Sequence, residues 1–66
     1  MNAGARRYAA TQTQTASRER TLVLLMEAAL RHVRAGAAAL EGGRRAQATG
    51  PLFKANQIVL ELLATL

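Results

Sequence analysis

The second half of the sequence is apolar on almost every side of a predicted helix, and this feature constrains the fold most. Between residues 51 and 66 a narrow polar edge interrupts the apolar residues, and it is formed by Lys54, Gln57 and Glu61. A helix that is apolar all round is buried in a folded protein. One neighbouring helix covers one side of it. A further chain segment, a second copy or a foreign peptide therefore has to cover the rest.

An amphipathic helix is predicted before it, over residues 17–41. Ser17 is a suitable N-cap because its hydroxyl accepts a hydrogen bond from a first-turn amide, and Gly42 is expected to end the helix in the left-handed conformation. Apolar residues recur along one face at spacings of three and four, namely Leu22, Met26, Ala29, Val33, Ala37 and Leu40.

The other boundaries follow from local composition. Residues 1–16 are small and polar with alternating threonines, which predicts a flexible, extended leader. Residues 42–50 are predicted to form a loop and residues 51–66 a second helix, with Pro51 in its first turn. The 66 residues are expected to form a single domain. Because the apolar pattern reaches Leu66 without a helix-ending residue, we expect a sequence truncated at its C-terminus.

Composition favours an all-α protein and excludes several classes. Strong helix formers dominate, chiefly Ala, Leu, Arg, Glu and Gln. The sequence has no cysteine, which excludes a disulfide framework and fits a reducing compartment. The longest apolar run in a helix, residues 22–26, is far shorter than the roughly 20 residues that span a bilayer. We expect a soluble cytoplasmic protein without membrane insertion.

The positive charge does not predict a nucleic-acid interface. The formal net charge is +5, which is typical of nucleic-acid binding proteins when the cations form one stripe. Here the arginines occur in scattered pairs with glutamates among them, and Glu27 stands four residues before Arg31, a favourable pair on a helix surface. A solvated charged face explains the pattern better.

The sequence contains no constellation for catalysis. Its one histidine, His32, and one serine, Ser17, are predicted on the same helix. At 1.5 Å per residue they lie about 22 Å apart, too far for a catalytic dyad. A metal site needs several ligands, and the glycine-rich loop lacks the spacing that cradles phosphates. We therefore predict that the protein is not an enzyme and has no cofactor.

Three sequence blocks resemble the FliS family of flagellar export chaperones. Residues 8–17, from Tyr8 through Thr15-Ala16-Ser17, resemble the family leader Y-x-x-x-x-V-x-T-A-S/T-P. Residues 22–30 resemble L-x-x-M-L-Y-D/N-G-A/C-L, and residues 54–62 resemble K-A-Q-x-I-I-x-E-L. The blocks keep the family order and spacing without gaps. The departures include Arg18 in place of proline and Asn56 in place of glutamine.

The resemblance implies a four-helix-bundle chaperone fold, of which this chain forms a helical hairpin and the leader. Such chaperones bind the disordered C-terminal segment of flagellin in apolar grooves. They thereby prevent premature polymerisation and help deliver flagellin to the export apparatus. Binding of a client helix in a groove uses apolar anchors at helical spacing. The residues assigned to the groove or to the core are Leu25, Met26, Ala29, His32, Val33, Ile58, Val59 and Leu62, and the sequence does not separate the two roles.

Two further expectations concern the leader and self-association. Tyr8 is an aromatic residue in an otherwise polar leader, and the resemblance implies that it covers part of the groove as a lid when no client is bound. The alternative hypothesis is a structural hairpin that dimerises into a four-helix bundle and binds no client. The two readings are compatible, because a member of the family that lacks its further helices can also form a homodimer.

Overall fold

A computed structural model describes residues 3–66 as two α-helices joined by a short turn. Helix α1 spans Ala3–Glu41 and helix α2 spans Arg45–Thr65. α2 runs back along the C-terminal part of α1, and the pair measures 62 × 18 × 11 Å. The predicted all-α fold and antiparallel hairpin are confirmed. The larger bundle stays a prediction.

The expected extended leader is helical in the structure. α1 begins at Ala3, so Ser17 lies inside the helix and is not its N-cap. The threonines that predicted extended chain are accommodated by side-chain hydrogen bonds: each hydroxyl donates to the carbonyl oxygen four residues earlier, at 2.9 Å for Thr11 and Thr15 and at 3.0 Å for Thr13. Residues 1 and 2 of the predicted leader lie outside the described residues.

The missing proline explains why α1 is continuous. A proline inside a helix removes one backbone hydrogen bond and clashes with the preceding turn. Position 18 is arginine, and the first proline of the sequence is Pro51. The alanines and arginines on either side of the threonines favour helix. The helix preference of the flanking residues, without a proline to interrupt the helix, therefore outweighs the preference of the threonines for extended chain.

A three-residue turn joins the helices and replaces the predicted nine-residue loop. The Gly43 amide donates to the Leu40 carbonyl oxygen at 3.1 Å, and the Arg44 amide donates to the Ala39 carbonyl oxygen at 2.7 Å. These bonds form a Schellman motif, which satisfies carbonyls left free at a helix end. Gly43, with φ of +71°, takes the left-handed conformation that was expected at Gly42.

α2 begins at Arg45 and not at the predicted residue 51, so it starts more than one and a half turns earlier. Pro51 lies in its second turn, and the preceding residue, Gly50, has no Cβ to clash with the proline ring. The additional residues also pack: Ala48 is 2% exposed, the most buried alanine of the hairpin. Burial against α1 stabilises the turn that sequence analysis assigned to the loop.

The two helices meet along residues spaced alternately three and four apart, the period of antiparallel helix packing. We call these residues the helix interface. All are buried or half-buried, and Ala28 at the edge is also half-buried. The interface consists of Leu22, Leu25, Ala29, His32, Gly36 and Ala39 on α1 and of Ala48, Pro51, Ala55, Ile58 and Leu62 on α2.

The interface on α1 is not the stripe predicted from apolar periodicity. The predicted stripe and the interface share Leu22 and Ala29, but Met26, Val33 and Leu40 remain 53, 45 and 49% exposed. The centre of the interface is rotated by roughly 65° about the helix axis from the centre of the predicted stripe, at 100° per residue. Small residues lie at its centre, and small side chains allow two backbones to approach closely.

Candidate functional site

Large apolar side chains are exposed beside the helix interface on both helices. Every interface residue except Ala48 and Ala55 is followed in the sequence by an apolar residue, from Val23 after Leu22 to Leu63 after Leu62. Since each residue advances 100° around the helix, these followers lie on one flank of the interface. We call them the apolar face. Its large members are Val23, Met26, Leu30, Val33 and Leu40 on α1 and Leu52, Val59 and Leu63 on α2, between 39 and 63% exposed.

The flanks of α1 and α2 form one continuous surface. Advancing one residue turns both helices in the same sense about their own axes. Because the helices are antiparallel and face each other, this rotation brings the followers of both interface segments to the same side of the hairpin. Leu52 lies over Gly36 across the interface, so the two flanks meet. A surface two helices wide is therefore left without a partner in the part of the chain that the structure describes.

The opposite flank of the hairpin is mostly polar or small. It consists of the residues that precede the interface residues, and on α2 every one of them is polar or glycine. Arg31 and Lys54 lie there with Glu61 on the same side. Mixed charges at this spacing give a solvated surface rather than a stripe of cations that follows a phosphate backbone.

The eight predicted groove or core residues fall into two groups. Met26, Val33 and Val59 lie on the apolar face, 53, 45 and 45% exposed. The other five lie in the helix interface and are buried or half-buried; they are Leu25, Ala29, His32, Ile58 and Leu62. Sequence analysis did not include in this set the other large members of the apolar face, namely Val23, Leu30, Leu40, Leu52 and Leu63. The signal that could have identified them is the spacing of seven between small residues, at positions 29 and 36 on α1 and 48 and 55 on α2. This spacing locates the helix interface, and the large residues beside it then form the flank.

Tyr8 lies on a part of α1 that α2 does not cover. The Arg18 guanidinium donates to the carbonyl oxygen of Thr65 at 2.9 Å, which marks the level where the hairpin ends. Residues 3–17 project beyond it, and Tyr8 is 68% exposed. Tyr8 and Met26 are separated by about five helical turns, so they lie on the same side of α1.

The hairpin offers surfaces rather than an enclosed site. Over residues 3–66 the structure has no pocket and no cluster of three or more potential metal ligands. Neither helix, within the described range, is long and apolar enough to cross a membrane. His32 lies half-buried in the helix interface, and Ser17 lies four turns away on the same helix. What the arrangement can do is bury an apolar surface of another chain.

Comparison with known proteins identifies the family. A family model described as "Flagellar protein FliS" matches residues 1–66, the whole chain. Searches among curated proteins and among solved structures returned no match. The resemblance carried by residues 8–17, 22–30 and 54–62 is thus confirmed over its full length. The chain therefore belongs to the FliS family of flagellar proteins, whose members are export chaperones and not enzymes.

Proposed function

We propose that this protein binds the disordered C-terminal segment of flagellin on its apolar face. The observation that carries the proposal is that eight large, exposed apolar side chains lie on the same side of the two helices, as the apolar face. Three others, Leu24, Phe53 and Leu60, are exposed on other sides. A surface of this kind binds an amphipathic helix through anchors at i, i+3, i+4 and i+7. Holding the segment as a bound helix keeps flagellin from polymerising before export. The chaperone acts in the cytoplasm and delivers its client to the export apparatus.

The eight residues predicted for the groove or core then have two different roles in client binding. Met26, Val33 and Val59 contact the client directly, because about half of each side chain is still exposed in the hairpin. Completing the burial of one such side chain contributes roughly 1 kcal/mol, half the value for a fully buried aliphatic residue. The predicted residues that lie in the helix interface act indirectly, by fixing the distance between the helices. They are Leu25, Ala29, His32, Ile58 and Leu62.

The lid proposed for Tyr8 requires a change in α1. In the helical form, Tyr8 lies on the client side of α1 but beyond the end of the hairpin. Covering the apolar face requires residues 3–17 to unwind near Ser17 and fold back. The threonine-rich stretch 11–15 favours such a transition, since threonine is a poor helix former. The lid then competes with the client for the same surface.

Calorimetric titration with the C-terminal segment of flagellin from the same organism tests the proposal. We expect saturable binding that changes little between low and high salt, because apolar burial is not screened. Val59→Asp places a charge on the apolar face and should weaken binding by about 100-fold or more. Gln57→Asp introduces the same charge on the polar edge and serves as the matched control.

The affinities of the two variants decide whether the client binds the apolar face. Loss of binding in Val59→Asp with unchanged binding in Gln57→Asp supports a client on the apolar face. Equal affinity of both variants and the parent chain would remove this face as the site. Circular dichroism of each variant distinguishes lost binding from lost folding.

Self-association is the second candidate function, and the same observation favours it. Two copies that place their apolar faces together form a four-helix bundle and bury the same side chains. Sedimentation of the isolated chain distinguishes monomer from dimer. If client and second copy use one surface, the client segment dissociates the dimer. If the dimer binds the client without dissociating, self-association uses a surface other than the apolar face.

A further inference from the structure

An asparagine, Asn56, interrupts the large apolar side chains of the apolar face on α2. Two of the residues that follow an interface position, Thr49 and Asn56, have polar side chains. Thr49 lies near the start of α2, before the first large residue of the apolar face on this helix, whereas Asn56 lies between Leu52 and Val59. Its neighbours one turn before and after on α2 are Leu52, Phe53, Val59 and Leu60, all exposed. Asn56 is itself exposed. It therefore lies within the surface that the proposed client covers.

The Asn56 amide is free to bind a partner. The side-chain hydrogen bonds in the part of the chain described by the structure involve threonines and Arg18, and none involves Asn56. An amide carries two donors and an acceptor. A client that covers Asn56 with apolar side chains removes water from these groups and leaves them unsatisfied, which is unfavourable.

We propose that Asn56 is a specificity-determining residue of the client site and that it binds an amide or hydroxyl side chain on the apolar face of the client helix. This inference rests on the proposed function. A lone polar residue in an apolar helix–helix contact fixes the register and orientation of the partner, as a single asparagine does in coiled coils. The apolar side chains around Asn56 contribute affinity, but they do not select one register or orientation of the client helix. Asn56 selects the client register in which its amide is satisfied.

The direction in which Asn56→Leu changes the affinity for the client tests the inference. Asn56→Leu makes the apolar face continuous, and leucine is a better helix former than asparagine, so the variant should fold at least as well. If the client presents a hydrogen-bonding group at Asn56, the leucine leaves that group unpaired and binding weakens by about tenfold. If the client is apolar at this place, the additional buried surface tightens binding.

Two variants complete the experiment, in which the C-terminal flagellin segment is titrated calorimetrically. Asn56→Gln keeps the amide and should recover part of the lost affinity. Gln57→Leu makes the same type of change on the polar edge and should leave affinity unchanged. Binding of Asn56→Leu equal to or tighter than the parent chain overturns the inference while leaving the proposed function intact. No binding by the parent chain overturns the proposed function, and the inference with it.

Discussion

Replacement of Gly36 by alanine perturbs the point where the two helices are in closest contact. A Cβ atom built at Gly36 would lie 2.6 Å from both Cγ and Cδ2 of Leu52. Real Cβ atoms do not approach other carbons so closely, so either Leu52 leaves its position or the helices move apart. Leu52 is 39% exposed, which means that more than half of its surface is buried in the hairpin.

Two opposing free energies determine the result. Alanine is about 1 kcal/mol more favourable than glycine inside a helix. Displacing Leu52 removes most of its burial, which costs about 1–2 kcal/mol on the scale for a leucine side chain. We therefore expect the free energy of unfolding of Gly36→Ala to be unchanged or lower by about 1 kcal/mol, against the gain that helix propensity alone predicts.

A double-mutant cycle with Leu52→Ala separates these two terms. Once Leu52 is truncated, the alanine at position 36 meets no obstacle, and Gly36→Ala should stabilise the hairpin by about 1 kcal/mol. The coupling free energy between the two positions is then about 1–2 kcal/mol. Urea denaturation followed by circular dichroism at 222 nm measures each corner of the cycle. An equal gain from Gly36→Ala in both backgrounds would refute the close contact of Gly36 with Leu52.

Three further predictions concern folding, the open end of the hairpin and the lid. Leu62→Asp places a charge in the helix interface and should lower the free energy of unfolding by about 2 kcal/mol or more in urea denaturation, whereas Val59→Asp remains folded. Arg18→Ala removes the bond to the Thr65 carbonyl, so amide exchange in the last turn of α2 should accelerate while the melting temperature changes little. Tyr8→Ala should tighten client binding in calorimetry if Tyr8 acts as a lid, and unchanged affinity would leave that role without support.

Helix boundaries were predictable where side-chain pattern and capping agreed. The end of α1 at Glu41 follows from the two glycines after it, which sequence analysis used correctly even though Gly43 takes the positive φ. The start of α1 was not predictable from the threonines. Their preference for extended chain is a local property, and hydrogen bonds from Thr11, Thr13 and Thr15 to the preceding turn accommodate them in a continuous helix.

The rotation of α1 towards α2 was predicted incorrectly for a physical reason. Periodicity gives weight to large apolar residues, and on α1 these include Met26, Val33 and Leu40. The closest contact between two helices instead forms where side chains are small, as at Gly36, and it pushes the large residues to the flank. The set of apolar residues was thus readable from the sequence. Its division into interface and exposed surface required the position of the second helix.

This division links the stability of the hairpin to the proposed client. The buried hydrophobic residues are Ala29, Ala39, Ala48 and Ala55, and alanine contributes little apolar area, while the large aliphatic side chains are only partly covered. Under the proposed function, covering the apolar face with another chain therefore adds stabilisation that the hairpin alone lacks. A ligand that binds the folded form alone stabilises it by about 2.7 kcal/mol at a free concentration 100 times its Kd.

For a domain of this size that stabilisation raises the melting temperature by about 10–20 °C. We expect the C-terminal flagellin segment to produce such a shift in thermal denaturation followed by circular dichroism. The shift should grow with the logarithm of the segment's concentration, as mass action requires. Val59→Asp should show no shift, and the control Gln57→Asp should show the full one. A melting temperature independent of the segment in the parent chain would mean that the apolar face is covered by something other than this client.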